Sequence, residues 1–256
     1  MKTVVIIQAR MTSTRLPGKV LKDVLGKPLL GYQLERVGRC RTVDEIVVAT
    51  TVNATDDPVA EFVTGEGLRV WRGSEADVLS RYAEAAEMAG ADLVVRLTAD
   101  CPLIDPALVD QVVETLRDSN PPLDYVSNTT PRTLPMGLDA EGIRGTALMA
   151  AHREAEARQE REHVTPFLYN HKDRFACHYL LHEPPITGHR WTVDHPEDFE
   201  LVRRILEALY PVNPAFTYQD VLALLEQHPD WPSINRGVYE RPQPVKNDSG
   251  AYPEQA

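Results

Sequence analysis

Four short runs rich in valine and isoleucine alternate with amphipathic segments through the first half of this 256-residue chain. The runs lack a regular alternation with polar residues, which is typical of strands buried on both faces. The strands are predicted at Thr3–Gln8, Glu45–Thr50, Leu68–Trp71 and Asp92–Thr98, and the helices at Pro28–Cys40, Pro58–Gly65, Ala76–Met88 and Ala107–Arg117. This order predicts an α/β fold, a three-layer α/β/α sandwich around a mainly parallel sheet.

The second half of the chain is less regular. Strands are predicted at Asp124–Asn128, Phe175–Leu181 and Arg190–Val193, and helices at Thr146–Gln159, about His163–Asn170, Pro196 to about Tyr210, and Tyr218–Gln227. We expect one domain over residues 1–240, with an inserted section at about 124–189. Residues 241–256 are polar and rich in proline, so a disordered tail is expected there.

Composition excludes several classes of protein. The net charge of -11, with 27 lysines and arginines, argues against nonspecific binding to nucleic acid or anionic membranes. The longest apolar runs are far shorter than the roughly 20 residues of a membrane span. Three widely spaced cysteines without a C-x-x-C pattern indicate reduced thiols. We therefore expect a cytoplasmic protein that binds neither nucleic acid nor membranes.

The loop after the first predicted strand carries Arg10, Arg15 and Lys19 within ten residues. Ligands of open α/β sheets gather beyond the carboxyl ends of the strands, and guanidinium and ammonium groups there suit phosphate oxygens. The loop is not a Walker A motif, because Ser13 replaces its first glycine and Val20 replaces its Ser/Thr. It also lacks G-x-G-x-x-G. The alternative is an ordinary solvated surface loop.

Two aspartates are candidate metal ligands. Asp100 directly follows a predicted buried strand, and Asp194 follows the predicted strand Arg190–Val193. Magnesium binds one or two carboxylates together with phosphate oxygens and water. The alternative for Asp100 is a turn residue at the end of a strand. Asp105, which precedes a proline, is expected to cap a helix instead.

Eight segments, in order, resemble the CMP-sugar synthetases, the sialic-acid and 3-deoxy-manno-octulosonate cytidylyltransferases, and most of all their SpsF-like branch. They span Met1 to about Tyr210 and are IIQARMTSTRLPGKVL, VVATT, RGSEADVLSRY, RLTADCPLIDP, DYVSN, PMGLDAE, EREHVTPFLY and RWTVDHPEDFELV. The resemblance implies a nucleotide-diphospho-sugar-transferase-like fold and magnesium-dependent transfer of CMP from CTP to an acceptor hydroxyl, with release of pyrophosphate. It also implies a homodimer that pairs through the inserted section.

The resemblance further implies roles for individual residues. The catalytic set is Arg10, Arg15, Lys19 and Asp100, and the metal ligands are Asp100 and Asp194. Some relatives carry Asp-x-Asp at the second metal position, where this chain has Thr192. The nucleotide-binding set is Gln8, Ala9, Arg10, Ser13, Arg15, Lys19, Thr50, Thr51, Arg72, Ser74 and Ser80. Capping by Ser74 and a surface position for Arg81 are the alternatives in the RGSEADVLSRY segment.

Acceptor contacts are expected from the inserted section. The candidates are Asn128, Gly137, Asp139, Glu141 and His163. The alternative to acceptor binding is a helix cap for His163 and a turn residue for Asp139.

The expected function is a cytidylyltransferase that activates a small acidic sugar, resembling a nonulosonic acid, for surface or spore coat polysaccharide synthesis. No nucleophilic side chain is needed, because positioning and electrostatics dominate such transfers. One alternative is a glycosyltransferase of related fold with a nucleotide-sugar donor, although the D-x-D motif of such enzymes is absent at Asp100-Cys101-Pro102. Another is a nucleotide-binding domain without turnover.

Overall fold

A computed structural model describes residues 1–240. The central element is a seven-stranded sheet in which β8 alone runs antiparallel to its neighbours. Across the sheet the strands are β5 (Arg69–Gly73), β4 (Glu45–Thr51), β1 (Thr3–Gln8), β6 (Leu93–Thr98), β8 (Glu141–Arg144), β7 (Tyr125–Ser127) and β9 (Cys177–Tyr179). A small hairpin, β2 (Asp23–Val24) with β3 (Lys27–Pro28), lies outside the sheet. The predicted mainly parallel sheet is confirmed.

Helices cover both faces of the sheet. The helices of the described residues are α1 (Leu29–Val37), α2 (Asp57–Gly65), α3 (Val78–Ala89), α4 (Pro106–Asp118), α5 (Gly145–Glu154), α6 (Arg158–His163), α7 (Pro166–Asn170), α8 (Pro196–Leu209), α9 (Tyr218–Gln227) and α10 (Arg236–Glu240). Helices α8 and α9 pack in a third apolar cluster that contains no residue of the seven-stranded sheet. Val5 and Ile7 of β1 pack toward α1, α2 and α4, whereas Val4 and Ile6 pack toward α3, α5 and α7. The strand is therefore apolar on both faces, as its sequence predicts. The predicted three-layer sandwich is confirmed.

Several local predictions are confirmed as well. Asp105 caps α4, since its side chain accepts a hydrogen bond from the amide of Ala107 at 2.9 Å. The three cysteines are free thiols. In the part of the chain that the structure describes, no helix is long and apolar enough to cross a bilayer. The predicted tail, residues 241–256, lies outside the described residues.

The predicted helix Thr146–Gln159 is wrong, because the chain forms two helices there. Helix α5 ends at Glu154, and extended backbone at Ala155 and Ala157 separates it from α6. The Arg161 guanidinium donates hydrogen bonds to the carbonyls of His152 and Ala155, at 2.7 and 3.2 Å. These carbonyls at the end of α5 thus accept hydrogen bonds from a side chain instead of from the amides of a further helical turn.

The predicted strand Arg190–Val193 is also wrong. Only an isolated bridge joins Arg190 to Met136, and strand β8, which the sequence did not predict, occupies the position beside β6. The amide of Val193 instead donates to the carbonyl of Asp100 at 2.8 Å. This bond brings Asp194 next to the end of β6 without a strand.

Candidate active site

A cavity of about 730 Å³ opens beyond the carboxyl ends of β1 and β6. These two parallel strands are neighbours, and β4 lies on the other side of β1. The chain runs from β1 to β4 and β5 on one side and then crosses to β6 on the other side. Such a switch point is where open α/β sheets bind ligands. The cavity is lined by Gln8, Ala9, Arg10, Thr12, Ser13, Thr14, Arg15, Lys19, Val20, Glu75, Ala76, Val78, Arg81, Arg96, Thr98, Ala99, Asp100, Arg158, Glu162, His163 and Asp194.

Lys19 joins the two predicted metal ligands. Its ammonium nitrogen lies 3.0 Å from Asp100 Oδ2 and 2.8 Å from Asp194 Oδ1. Arg15 Nη2 lies 2.8 Å from the same oxygen of Asp194. Gly18 shapes the loop that places Lys19 here, because its φ of 69° is strained for other residues. The first loop and both aspartates therefore form one ionic cluster.

A second ion pair fixes Asp194 from behind. Arg190 Nη2 lies 2.7 Å from Asp194 Oδ2, and Arg190 Nε lies 2.9 Å from the fully buried Asp198. Asp198 also accepts hydrogen bonds from the amides of Asp194 and His195, at 3.1 and 3.0 Å. Asp198, in the first turn of α8, thus positions the cluster.

These contacts set the charge states of the cluster. Burial opposes ionisation of Asp194, but Lys19, Arg15 and Arg190 outweigh burial and hold the pKa of Asp194 well below its ordinary value. Burial likewise opposes the charge on Lys19, and Asp100 and Asp194 raise the pKa of its ammonium above the ordinary value. Both groups are therefore charged near neutral pH.

The donor set fits a magnesium ion that also binds a nucleotide. Asp100 and Asp194 approach from different segments and already share one cation, the Lys19 ammonium. Within residues 1–240, no group of three or more His, Cys, Asp or Glu side chains is placed to hold a metal. Two carboxylates suffice for magnesium when phosphate oxygens and water complete its shell. A metal ion held by these two aspartates would thus take the rest of its ligands from water or from the substrate.

The first loop is also tied to the β4 side of the cavity. The amide of Met11 donates to the fully buried Asp56 at 2.7 Å. Glu75 accepts from Thr12 Oγ1 at 2.8 Å and forms an ion pair with Arg10 at 3.3 Å. The sequence did not predict roles for Asp56 and Glu75, since neither has a local pattern that distinguishes it from a surface carboxylate.

The structure separates the predicted nucleotide-binding residues into two groups. Gln8, Ala9, Arg10, Ser13, Arg15 and Lys19 line the cavity, whereas Thr50, Thr51, Arg72, Ser74 and Ser80 do not. Thr50 and Thr51 are completely buried, and the Thr51 hydroxyl donates to Asp56. Arg72 donates to the carbonyls of Thr51 and Asn53, each at 2.8 Å. These side chains support the cavity wall.

Ser74 lies in the loop before α3, and Ser80 lies in the first turn of α3. Ser74 Oγ accepts from the amide of Asp77 at 3.1 Å, and Ser80 Oγ donates to Glu84 at 2.7 Å. Asp77, which caps α3, pairs with Arg161 of α6. The network therefore orders the cavity wall formed by α3 and α6.

Of the predicted acceptor residues, His163 lines the cavity and the other four do not. The Asn128 side chain bonds to the backbone of Leu138 and Ala140, at 2.8 and 2.9 Å, and closes the loop between them. Asp139 pairs with Arg132 at 2.6 Å. The remaining two predicted residues also make internal contacts.

Gly137 and Glu141 lie behind the cavity wall. A Cβ at Gly137 would lie 2.6 Å from the amide nitrogen of Thr192. Glu141 is 6% exposed and accepts hydrogen bonds from Arg96, Tyr125 and Thr165. Because Arg96 itself lines the cavity, Glu141 acts on the site through Arg96.

The comparisons with known proteins agree with this geometry. A cytidylyltransferase family model matches residues 4–225. The chain belongs to the cytidylyltransferase family. The resemblance found in the sequence is therefore confirmed, as is the expectation of an enzyme, because the members of this family are nucleotidyltransferases.

Three known proteins show what this cytidylyltransferase is similar to. The spore coat polysaccharide biosynthesis protein SpsF of Bacillus subtilis is 32% identical over 234 residues, which cover 88% of this chain and 94% of SpsF. A cytidylyltransferase structure from Leptospira borgpetersenii is 32% identical with a TM-score of 0.86, covering 90% of this chain and 96% of that one. The 3-deoxy-manno-octulosonate cytidylyltransferase of Geobacter sulfurreducens is 41% identical over 46% of this chain and 47% of its own length.

Proposed function

We propose that this protein transfers CMP from CTP to a hydroxyl group of a small acidic sugar, with release of pyrophosphate and dependence on Mg²⁺. The observation that carries the proposal is the ionic cluster of Arg15, Lys19, Asp100 and Asp194 in one cavity. It combines cations suited to a triphosphate with two carboxylates suited to its metal ion.

In the proposed mechanism, the acceptor oxygen attacks the α-phosphorus in line and pyrophosphate leaves. Asp100 and Asp194 would hold Mg²⁺, which neutralises charge on the transferring phosphate when it is bound. Arg10, Arg15 and Lys19 donate hydrogen bonds to the β- and γ-phosphates and stabilise the leaving group. Their positions are set by Glu75, Asp194 and Asp100 before any ligand enters, so the cations are pre-organised.

The acidic acceptor is supported by further basic side chains in the cavity. Arg96, Arg158 and His163 line it together with the acidic Glu162, and Arg96 and Arg158 pair with Glu141 and Glu162. A carboxylate on the sugar would pair with a guanidinium there. SpsF is named for spore coat polysaccharide biosynthesis and the octulosonate enzyme for cytidylyl transfer to 3-deoxy-manno-octulosonate, and we propose surface polysaccharide synthesis as the pathway type of this chain.

We further propose that the enzyme acts in the cytoplasm as a homodimer, as the sequence resemblance implies. Analytical ultracentrifugation at micromolar concentration tests the second point. A mass of about twice 28.7 kDa supports it, and a single monomeric species contradicts it.

A thermal-shift panel tests nucleotide choice. CTP, UTP, ATP, GTP and UDP-sugars are each added with and without Mg²⁺. A ligand at 100 times its dissociation constant adds about 2.7 kcal/mol to the unfolding free energy, which raises Tm by roughly 5–10 °C for a chain of this size. We expect the largest shift with CTP and Mg²⁺ together. A shift with UDP-sugars but not with CTP would favour glycosyl transfer and contradict the proposal.

A further inference from the structure

Asn235 lies behind the ionic cluster, in the segment that joins α9 to α10. This segment is beyond residue 225, where the match to the cytidylyltransferase family model ends. The Asn235 side chain is 3% exposed, and its amide nitrogen donates to the carbonyl of Arg190 at 2.9 Å and to Asp198 Oδ1 at 2.8 Å. Because both partners are acceptors, the two N–H groups of the amide match them.

The two hydrogen bonds of Asn235 hold Arg190 at both ends. One fixes the backbone carbonyl of Arg190, and the other fixes Asp198, whose Oδ1 accepts from Arg190 Nε at 2.9 Å. Asp198 is completely buried, so no solvent replaces a donor that it loses. The Arg190 guanidinium in turn lies 2.7 Å from Asp194 Oδ2. Asn235 is therefore connected to Asp194 through Asp198 and Arg190.

This connection determines which oxygen of Asp194 faces the first loop. Arg190 engages Oδ2, whereas Lys19 and Arg15 each lie 2.8 Å from Oδ1. The proposed function places the triphosphate and its metal ion on the side of these loop cations. A shift of the Arg190 guanidinium would turn the Asp194 carboxylate and move Oδ1 away from that position.

The segment that carries Asn235 is held in place by packing that does not involve its amide. The Trp231 ring stacks on His228 with centroids 4.3 Å apart, and Trp231 and Ile234 pack against the third apolar cluster, that of α8 and α9. Val238 of α10 is 1% exposed. Removal of the Asn235 amide should therefore leave the segment folded.

We infer that Asn235 is a positioning residue of the metal site, which holds Arg190 and Asp198 so that Asp194 presents Oδ1 to a bound Mg²⁺. This inference rests on the proposed function, which assigns the metal ion to Asp100 and Asp194. Replacing a side chain that orients a metal ligand from behind typically lowers metal affinity or activity about 10- to 100-fold. A segment outside the family model would thus contribute to the active site.

The test measures the affinity for CTP with and without Mg²⁺ by isothermal titration calorimetry. The readout is the factor by which Mg²⁺ tightens CTP binding. For Asn235→Leu, which removes both donors and keeps a branched side chain, we expect this factor to fall about 10-fold, while CTP affinity without Mg²⁺ stays unchanged. Asn235→Ala removes the same donors without adding apolar volume, so it should show the same loss even if the leucine does not fit.

Val238→Ala is the matched control, because it loosens the packing of the same segment and keeps the Asn235 amide. It should lower Tm and keep the wild-type effect of Mg²⁺ on CTP binding. An equal loss of the Mg²⁺ effect in Val238→Ala overturns the inference, since the loss would then come from packing.

Two further outcomes also decide against a positioning role. A folded Asn235→Leu or Asn235→Ala variant with the wild-type effect of Mg²⁺ overturns the inference. An equal loss of CTP affinity with and without Mg²⁺ does so too, because the contact would then not act through the metal ligand. Wild-type protein whose CTP affinity does not respond to Mg²⁺ overturns the proposed function itself.

Discussion

Asp100 and Asp194 are equivalent in the proposed chemistry but unequal in the fold. Asp194 contacts three cations, namely Lys19 at 2.8 Å, Arg15 at 2.8 Å and Arg190 at 2.7 Å, and its side chain is 16% exposed. Asp100 contacts one cation, Lys19 at 3.0 Å, and is 24% exposed. Both Asp100→Asn and Asp194→Asn should therefore abolish activity, whereas the free energy of unfolding should fall mainly in Asp194→Asn.

The size of the difference follows from these contacts. Removing one partner of a buried ion pair costs about 3–5 kcal/mol. Since Asp194 borders an open cavity, we expect about 2–3 kcal/mol for Asp194→Asn, or roughly 4–12 °C in Tm. For Asp100→Asn we expect about 1 kcal/mol, or roughly 2–4 °C.

The assay combines differential scanning calorimetry with pyrophosphate release from CTP. Asp110→Asn, a buried aspartate on α4 that does not line the cavity, controls for the loss of any buried carboxylate. It should lower stability and leave pyrophosphate release intact. Equal losses of Tm at Asp100 and Asp194, or an unchanged Tm in Asp194→Asn, would refute the reasoning from ion-pair number.

Three further predictions concern other parts of the structure. Burial opposes the charge on Asp110, but hydrogen bonds from Thr42 and Arg41 lower its pKa. The stabilisation by Asp110 is therefore present above the unfolded-state pKa of about 3.9 and is lost as the pH falls below that value. In urea titrations the unfolding free energies of wild type and Asp110→Asn should converge in acid, and a difference that stays constant with pH would contradict this. Glu141→Gln removes the negative charge that faces the buried Arg96 guanidinium and should lower the free energy of unfolding in urea by about 3 kcal/mol, whereas a loss below 1 kcal/mol argues that the ion pair is not needed. Lys19→Met removes the cation between the two metal-site aspartates. Without nucleotide, Mn²⁺ should therefore bind the variant at least about 5-fold more tightly than wild type, as measured by electron paramagnetic resonance. Unchanged affinity would show that the ammonium does not compete with the metal ion for the aspartates.

The sequence predicted the part of the fold that local pattern determines. A buried run of β-branched residues and an amphipathic helix are both recognisable from local sequence alone. The bounds of β1 and of α9 were therefore predicted to the residue. Strand β8 was missed because four residues, two of them charged, carry no clear periodicity. Arg190–Val193 looked like a strand, yet its backbone bonds to loops and its arginine is committed to two aspartates.

The same division applies to the site. Arg15, Lys19 and Asp100 lie in the loops that follow β1 and β6, so their convergence could be predicted from topology. Arg81 and Arg96 could not be identified as cavity residues, because helix and strand positions do not reveal which face meets the cavity. Thr50 and Thr51 lie at the end of β4 but do not line the cavity, because neighbouring parts of the chain bury both side chains completely.

The most direct test of the central claim follows the α-phosphate itself. CTP labelled at the α-phosphorus is incubated with Mg²⁺, wild-type protein and a panel of acidic sugars, with Asp100→Asn as the control. We predict that the label moves into a CMP-sugar in equal amount to the pyrophosphate released, and that the variant transfers none. Label that stays in CTP with every acceptor, or that appears at the same rate with Asp100→Asn, would contradict the account.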